Sequence, residues 1–207
     1  MRQLIPLAFD AQKGRDEWRE FDSLLNGKAE LDESKDVLPF FKDRSHLSSL
    51  ASWYFPMLTN GDLIAHEYTI YTDFRADLIV GDSTTHRYVL VEFEDGQPDS
   101  IFKKRGTKST PDWAARFECA FSQLVDWMWK LDDMRSTLDF EHAFGDRQAS
   151  FHGLIVIGKG VSHCDREASR LKWRLDKIAV NSNKIHTVTF EELRSDFDMW
   201  LRKYHNV

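Results

Sequence analysis

Two glutamates close an apolar segment of the sequence. Residues 87–94, RYVLVEFE, are rich in β-branched and aromatic side chains and predict a strand buried on both faces. Because residues two apart in a strand share a face, Glu92 and Glu94 lie side by side near its end, with Tyr88 and Leu90. Carboxylates held together in a partly dry place repel each other and resist ionisation. A divalent cation such as Mg²⁺, which prefers oxygen ligands, is one solution to that repulsion.

A third carboxylate, Asp77, belongs to the preceding apolar segment. That segment, RADLIVG (residues 75–81), is followed by the turn sequence GDSTTH (residues 81–86), so the two segments predict a hairpin. Pairing about this turn places residue 77 opposite residues 90 to 92. Asp77 and Glu92 would then be close neighbours, and one cation could bind both.

The same carboxylates have a second interpretation without a metal. Glu92 and Glu94 could mark the point where the strand emerges into solvent. Asp77 could then form an ion pair with Arg75 or Arg87. The spacing of the residues does not choose between these two interpretations.

Helical and strand-like segments surround these residues. Hydrophobic periodicity predicts helices over residues 15–26, 28–42 (kinked or ended at Pro39), 46–54, 110–134, 163–180 and from 190 to about 204. The helix from 110 would start at Thr110-Pro111, a hydroxyl cap followed by proline in the first turn. Strands are predicted over residues 63–72, 75–81, 87–94, 152–160 and 185–190. This order predicts an α/β fold with a mixed central sheet flanked by helices on both faces.

Composition indicates one domain. The 207 residues are 42% hydrophobic and 13% aromatic, enough for a sizeable core. We expect an N-terminal helical segment (residues 1–60) that contributes the first core helix to an α/β core (residues 61–207), with residues 28–60 joining that core. No long apolar run or signal peptide is evident, and two cysteines do not make a disulfide framework. We therefore expect a cytoplasmic protein without a membrane segment.

A basic loop follows the carboxylate strand. The net charge of −6 argues against a protein that coats nucleic acid through bulk charge, but not against a local patch. The loop KKRGTK supplies such a patch with four positive side chains: Lys103, Lys104, Arg105 and Lys108. It could bind phosphate beside a metal, or it could be a solvated loop.

Three arginines recur at a spacing of four in the helix predicted over residues 163–180. Like charges at that spacing disfavour a helix, so Arg166, Arg170 and Arg174 indicate either an anionic partner or acidic neighbours in the fold. With a negative net charge, acidic neighbours are at least as plausible as DNA.

The carboxylate pattern resembles a known nuclease pattern. An Asp in one strand, an apolar strand ending in Glu-x-Lys, and a following helix are similar to the PD-(D/E)XK nuclease superfamily with its restriction-endonuclease-like core. More narrowly, VLVEFEDGQPDSIFKKRG, the helix FECAFSQLVDW and the segment GKAELDESKDVLPFF resemble the Shedu family of bacterial anti-phage nucleases. The resemblance covers most of residues 28–160.

The resemblance implies a metal-dependent DNA endonuclease. Asp77 and Glu92 would hold Mg²⁺, with Mn²⁺ able to substitute, and Glu33 or Glu30 would contribute from the first helix. Gln123 would point toward the site from its helix, although it could also be a rim residue bonded to backbone. The resemblance also implies DNA as a partner and assembly into a homo-oligomer, either a dimer or a tetramer.

Glu94 departs from this pattern because the usual residue there is lysine. Glu94 could act as a base for the attacking water or as another ligand, or Lys103 or Lys104 could approach from the loop. Alternatively, the chain is a catalytically weakened or inactive nuclease-fold module that binds DNA or a protein partner. A further alternative, an acidic protein-interaction domain, would be favoured if Asp77 and Glu92 were distant from each other.

Overall fold

A mixed seven-stranded sheet forms the centre of the protein. The computed structural model describes residues 3–104, 106–107 and 109–207. The strands are β1 (Ile5–Pro6), β2 (Leu63–Ile70), β3 (Phe74–Asp82), β4 (Arg87–Phe93), β5 (Phe102–Lys103), β6 (Asp112–Trp113), β7 (Ser150–Val156), β8 (Ala179–Val180) and β9 (Asn183–Val188). The α-helices are α1 (Ala11–Gly27), α2 (Leu38–Lys42), α3 (Ser45–Ser49), α4 (Ala115–Met134), α5 (Leu138–Phe144), α6 (Asp165–Lys177) and α7 (Phe190–His205).

The strands of the large sheet run in the order β1-β2-β3-β4-β7-β9-β8. Strands β1 to β4 pair antiparallel, and β4, β7 and β9 pair parallel. The predicted β3–β4 hairpin is present, with Leu78 opposite Val91 and Asp82 opposite Arg87. Extending this register by one residue places Asp77 opposite Glu92, within the range that the turn predicted.

Strand β4 is apolar on both faces because each face meets a different layer of helices. Val89, Val91 and Phe93 pack in a core with residues of α1, α2, α3 and α7. Tyr88 and Leu90 pack in a second core with residues of α4 and α5. The predicted α/β class, with a mixed sheet covered by helices on both faces, is confirmed.

The predicted helix start at Thr110-Pro111 is wrong. Helix α4 begins at Ala115, and Asp112–Trp113 instead pairs antiparallel with Phe102–Lys103. The rings of Phe102 and Trp113 stack with their centroids 4.4 Å apart. This aromatic contact outweighs the local preference for a cap, so the helix starts later than its sequence signal.

Residues 28–42 do not form one helix kinked at Pro39. Leu31 forms an isolated bridge with Gly96, with backbone hydrogen bonds of 3.0 and 2.9 Å in both directions. A π-helical turn follows over Glu33–Val37, and α2 then carries Pro39 in its first turn. The bridge holds Leu31 extended against the loop after β4. Glu33, directly after this extended segment, is thereby brought to the end of β4.

Helix α5 lies in a segment, between residues 134 and 152, for which the sequence predicts neither a helix nor a strand. Thr137 caps it by accepting a hydrogen bond from Phe140 N, and Gly145 ends it with a positive φ of 76°. Phe140 and Phe144 are buried in the core beneath α4. Seven residues make about two helical turns, which is too short for the hydrophobic periodicity to distinguish a helix from a loop.

The sequence leads to predictions about the cysteines and about membrane segments. Cys119 on α4 and Cys164 at the start of α6 are both free and exposed. Within the described residues, no helix combines the length and the apolar character needed to cross a membrane.

Candidate active site

The carboxylates of the hairpin face a cavity of about 680 Å³ at the end of β4. All five side chains predicted to act in catalysis line this cavity: Glu33, Asp77, Glu92, Glu94 and Gln123. The rest of its wall includes the arginines Arg75 and Arg116, with Cys119 and Trp127 from α4. Glu30, the alternative to Glu33, is exposed and is not among the described residues of this wall. The fold therefore brings together residues from β3, β4, α4 and the turn at residue 33.

Asp77 and Glu92 are joined across the hairpin. Their carboxyl groups are hydrogen-bonded to each other, and Phe93 N donates to Asp77 Oδ2 over 2.9 Å. Burial raises the pKa of both carboxyl groups, and the charge of Asp77 raises the pKa of Glu92 further. The pair therefore shares a proton, and the separation of Asp77 from Glu92 that would have favoured an interaction domain is not found.

Strand β3 is irregular at Asp77. The β2–β3 ladder pairs His66 with Leu78 and Tyr68 with Ala76, but skips Glu67 and Asp77. Glu67 has a φ of 50°, which is unusual for a residue other than glycine. Irregularities of this kind re-aim a side chain and are common beside functional sites. They are consistent with a site built around Asp77.

Glu92 and Glu94 do not emerge into solvent. Glu92 is 6% exposed and Glu94 is 4% exposed, so the interpretation that they mark the emergence of the strand into solvent is wrong. Across the described residues, no ion pair joins Asp77 to Arg75 or Arg87, since Arg75 lies 3.7 Å from Glu67 and Arg87 donates to Met57 O. The metal-free pairing suggested for Asp77 is therefore absent from the described part of the chain.

Gln123 approaches the carboxyl pair from α4. Its Nε2 donates to Glu92 Oε1 over 2.7 Å, so the side chain bonds to the strand carboxyl rather than to backbone. Glu92 thereby has partners on two sides, Gln123 from the helix and Asp77 from the neighbouring strand. Its orientation in the cavity is held by both.

Arg116 gathers three acidic side chains at the same end of β4. Its Nη1 lies 2.8 Å from Glu33 and 3.2 Å from Glu94, and its Nε lies 3.4 Å from Asp95. Burial and the charge of Glu33 raise the pKa of Glu94 to about 7, although Arg116 opposes that shift. Glu94 is thus poised to change its charge near neutral pH.

Sequence reasoning missed Arg116 and Asp95. A signal for Arg116 was available, because it lies seven residues before Gln123 and two helical turns bring both residues to one face. The apolar side chains of this helix, which include Phe117 and Leu124, indicate its buried face, and Arg116 does not belong to that face. Asp95 follows Glu94 directly, and its carboxylate accepts a hydrogen bond from Ser100 Oγ.

Lys103 and Lys104, the described basic side chains of the loop, do not line the cavity. Lys103 forms an ion pair with Asp99 over 3.1 Å, and Lys104 is exposed. Neither is among the described residues of the cavity wall. Arg105 and Lys108 lie outside the described residues, so their part in the predicted nucleic-acid patch stays a prediction.

One comparison with known proteins identifies the family. A model of the C-terminal region of the Shedu protein SduA matches residues 30–194. The chain belongs to the Shedu family. A search of curated proteins found no match. The Shedu match contains the whole cavity wall, from Glu33 to Trp127.

The arginine stripe of this Shedu protein is largely used internally. Arg174 pairs with both carboxylate oxygens of Glu118, and Arg170 donates to Pro111 O over 2.8 Å. Arg170 and Arg174 also lie over the ring of Trp113. These contacts attach α6 to the start of α4, whereas Arg166 is exposed.

The donor atoms of the Shedu cavity fit one kind of metal. Asp77 and Glu92 offer carboxyl oxygens, and a cation could replace their shared proton. In the described parts of the chain, no group of three or more His, Cys, Asp or Glu is arranged to hold a metal ion. Mg²⁺ usually takes one or two carboxylates and completes its shell with water and phosphate. The pair therefore fits Mg²⁺ or Mn²⁺, but not a closed site such as structural zinc.

Proposed function

We propose that this Shedu protein is a divalent-metal-dependent endonuclease that hydrolyses DNA phosphodiester bonds in bacterial defence against phages. The observation that carries the proposal is the hydrogen-bonded pair of Asp77 and Glu92 in a cavity that also contains Gln123. Buried carboxyl groups that share a proton on adjacent strands need a positive charge when they ionise. Phosphodiester hydrolysis is a reaction in which a cation at that position is useful.

Each polar group of the cavity has a role in this proposal. Asp77 and Glu92 would hold Mg²⁺ or Mn²⁺, and the ion would stabilise charge on the phosphate and lower the pKa of a water molecule. Gln123 and the Phe93 amide orient the two carboxyl groups. Glu94 and Glu33 lie beside the pair, where Glu94 could accept a proton from the attacking water.

The order of elements supports a PD-(D/E)XK core. Asp77 comes from the middle strand of an antiparallel meander, Glu92 comes from the end of the next strand, and Glu94 directly follows that strand. Strand β4 then pairs parallel with β7, and α4 between them carries Gln123 across the sheet end. In such a core, Glu94 would stand at the position of the usual lysine.

DNA and a second copy of the chain are the proposed partners. Lys103, Lys104, Arg105 and Lys108 would contact the DNA backbone without reading its sequence. Trp129 and Trp173 are 60% and 62% exposed, which supports assembly into a dimer or tetramer. The activity would operate in the cytoplasm, where invading DNA is met. Sedimentation analysis at several protein concentrations tests the assembly.

A second candidate function follows from Glu94. With glutamate at the lysine position, the fold could be a catalytically weakened or inactive module that binds DNA or a protein partner. Wherever no cation is bound, the acidic cavity wall favours a protein partner over DNA for this candidate, since Glu33, Glu92 and Glu94 would repel a phosphate.

Cleavage of linear and supercoiled DNA with Mg²⁺ or Mn²⁺ tests the proposal. Wild type is compared with Glu92→Gln and with Glu30→Gln, a control that removes an exposed carboxylate outside the cavity. Cutting by wild type and Glu30→Gln, but not by Glu92→Gln, is the expected result. If wild type cuts neither DNA form with either metal, the nuclease proposal is wrong and the binding module becomes the better account.

A further inference from the structure

The cavity is acidic and has few positive charges to receive a phosphate. Among the described residues of its wall, the cationic side chains are Arg75 and Arg116. Arg75 lies at the rim near Glu67, while Arg116 directly contacts Glu94, the residue at the lysine position. Lys103 is occupied by Asp99 outside the cavity. Arg116 is therefore the positive charge best placed to compensate for glutamate at position 94.

The contacts of Arg116 leave part of its guanidinium available. Nη1 and Nε face the carboxylates of Glu33, Glu94 and Asp95, whereas Nη2 donates to no acceptor among the described residues. The side chain is 53% exposed, although it is held by three acids. A guanidinium has five N–H donors in a rigid fork that suits phosphate oxygens. The acids fix one side of the fork, and Nη2 can donate to a ligand in the cavity.

We propose that Arg116 binds a non-bridging oxygen of the phosphate at the cleavage position and supplies the positive charge that Glu94 cannot supply. The inference rests on the proposed nuclease function. Glu33, Glu94 and Asp95 hold the guanidinium in place before DNA arrives, so little side-chain freedom is lost on binding. The positive charge beside the phosphate would come from a side chain of α4 instead of a lysine at position 94.

Two measurements test this role, with Arg116→Gln and Arg116→Lys compared against Arg202→Gln. Arg202 is an exposed arginine paired with an aspartate on α7, so it matches the loss of one charge far from the cavity. Cleavage by Arg116→Gln should fall by about 100-fold or more, as expected for the loss of one preorganised charged donor. Arg116→Lys should retain part of the activity, because it keeps the positive charge. In both Arg116 variants, the Mn²⁺ affinity measured by calorimetry should change by less than about threefold.

The second measurement is DNA binding without cleavage, in the Glu92→Gln background. The affinity for a short duplex is measured by fluorescence anisotropy over a range of salt concentrations. Adding Arg116→Gln should reduce the slope of log affinity against log salt by about one, and adding Arg202→Gln should not. A purely structural role for Arg116 would not change this slope.

The outcomes separate this inference from the nuclease proposal. An unchanged salt slope with Arg116→Gln overturns the phosphate contact, even if wild type cuts DNA. A loss of Mn²⁺ binding with an unchanged slope shows instead that Arg116 only positions the carboxylates. If wild type does not cut DNA but the slope falls, the phosphate contact stands and the nuclease function is rejected.

Discussion

Gln123 on α4 donates a hydrogen bond over 2.7 Å to Glu92 at the end of β4. The donor side chain lies on the exposed side of the helix, whereas the acceptor is buried. This bond connects the helix to the carboxyl pair across 31 residues of sequence. Outer partners of this kind orient a metal-binding carboxylate and commonly affect metal affinity by 10-fold to about 100-fold.

Replacing Gln123 by alanine should weaken Mn²⁺ binding by about 10-fold without unfolding the protein. The variant removes the donor that orients Glu92 and leaves the apolar face of α4 intact. Isothermal titration calorimetry measures the affinity, and Ser122→Ala, an exposed neighbour on the same helix, serves as the control. Equal Mn²⁺ affinities for Gln123→Ala and Ser122→Ala would show that the hydrogen bond does not support a metal site.

Replacing Glu92 should affect stability in opposite directions, depending on the new side chain. In Glu92→Gln, the amide oxygen can accept from Gln123 and the amide nitrogen can donate to Asp77. We expect it to raise the free energy of unfolding at pH 8 by about 1 kcal/mol, because the folded protein no longer has to keep a proton that the unfolded chain releases. Glu92→Ala should lower it by about 2 kcal/mol, since Gln123 and Asp77 lose a partner beside a new cavity.

Urea denaturation of both Glu92 variants in EDTA gives these free energies. Neither variant should show a thermal shift with Mn²⁺, whereas wild type should. A large loss of stability in Glu92→Gln would mean that the carboxyl group stabilises the metal-free fold. The proton-sharing account of the pair would then be wrong.

The hairpin and its carboxylates could be predicted from the sequence because local rules determine them. A two-residue period sets the faces of β4, and the turn near Asp82 sets the register that brings Asp77 to Glu92. Both rules act over fewer than about 20 residues, so one sequence was enough to apply them.

The full set of Arg116 contacts could not be predicted in the same way, although the spacing of Arg116 from Gln123 indicates a shared helix face. It depends on where α4 begins, and that point is set by the stacking of Trp113 on Phe102 rather than by the local cap signal at Thr110. The position of Glu33 likewise depends on the bridge between Leu31 and Gly96. These tertiary contacts override helix propensity, and neither hydrophobic periodicity nor a cap signal predicts them.

The stability of the metal-free protein should fall as the pH rises from about 4.5 to 7. The pKa of Glu94 is raised from 4.5 to about 7, chiefly by burial. Between these values the folded state keeps a proton that the unfolded chain has released, so the free energy of unfolding decreases with pH. Below the lower value both states are protonated, and above the higher value both are ionised, so the contribution is constant there.

Thermal melts in EDTA between pH 4.5 and pH 8 measure this effect. Glu94→Gln should melt at a temperature that varies less with pH than wild type does. Asp77 and Glu92, whose pKa values are also raised, contribute in the same direction and leave some slope in the variant. Identical pH profiles for wild type and Glu94→Gln would show that folding does not raise the pKa of Glu94.

Asp82 lies at the turn end of the β3–β4 hairpin and does not line the cavity. Its side chain is fully buried and accepts five hydrogen bonds, from Thr59 N and Oγ1 and from the backbone amides of Asn60, Thr84 and Thr85. Burial alone would raise the pKa of this carboxyl, but these donors outweigh burial and lower it. The carboxylate therefore stabilises the fold above its unfolded pKa, and that stability is lost as the pH falls.

Asp82→Asn should lower the free energy of unfolding by about 2–3 kcal/mol at neutral pH. The amide nitrogen of asparagine cannot accept from the backbone donors on its side, so buried N–H groups lose their partner. Asp62→Asn, which affects a less buried carboxylate bonded to Ser83, is the matched control and should cost about 1 kcal/mol or less. Urea denaturation at pH 7 compares the two variants. If Asp82→Asn costs no more than Asp62→Asn, the five hydrogen bonds do not stabilise the hairpin that positions Asp77 and Glu92.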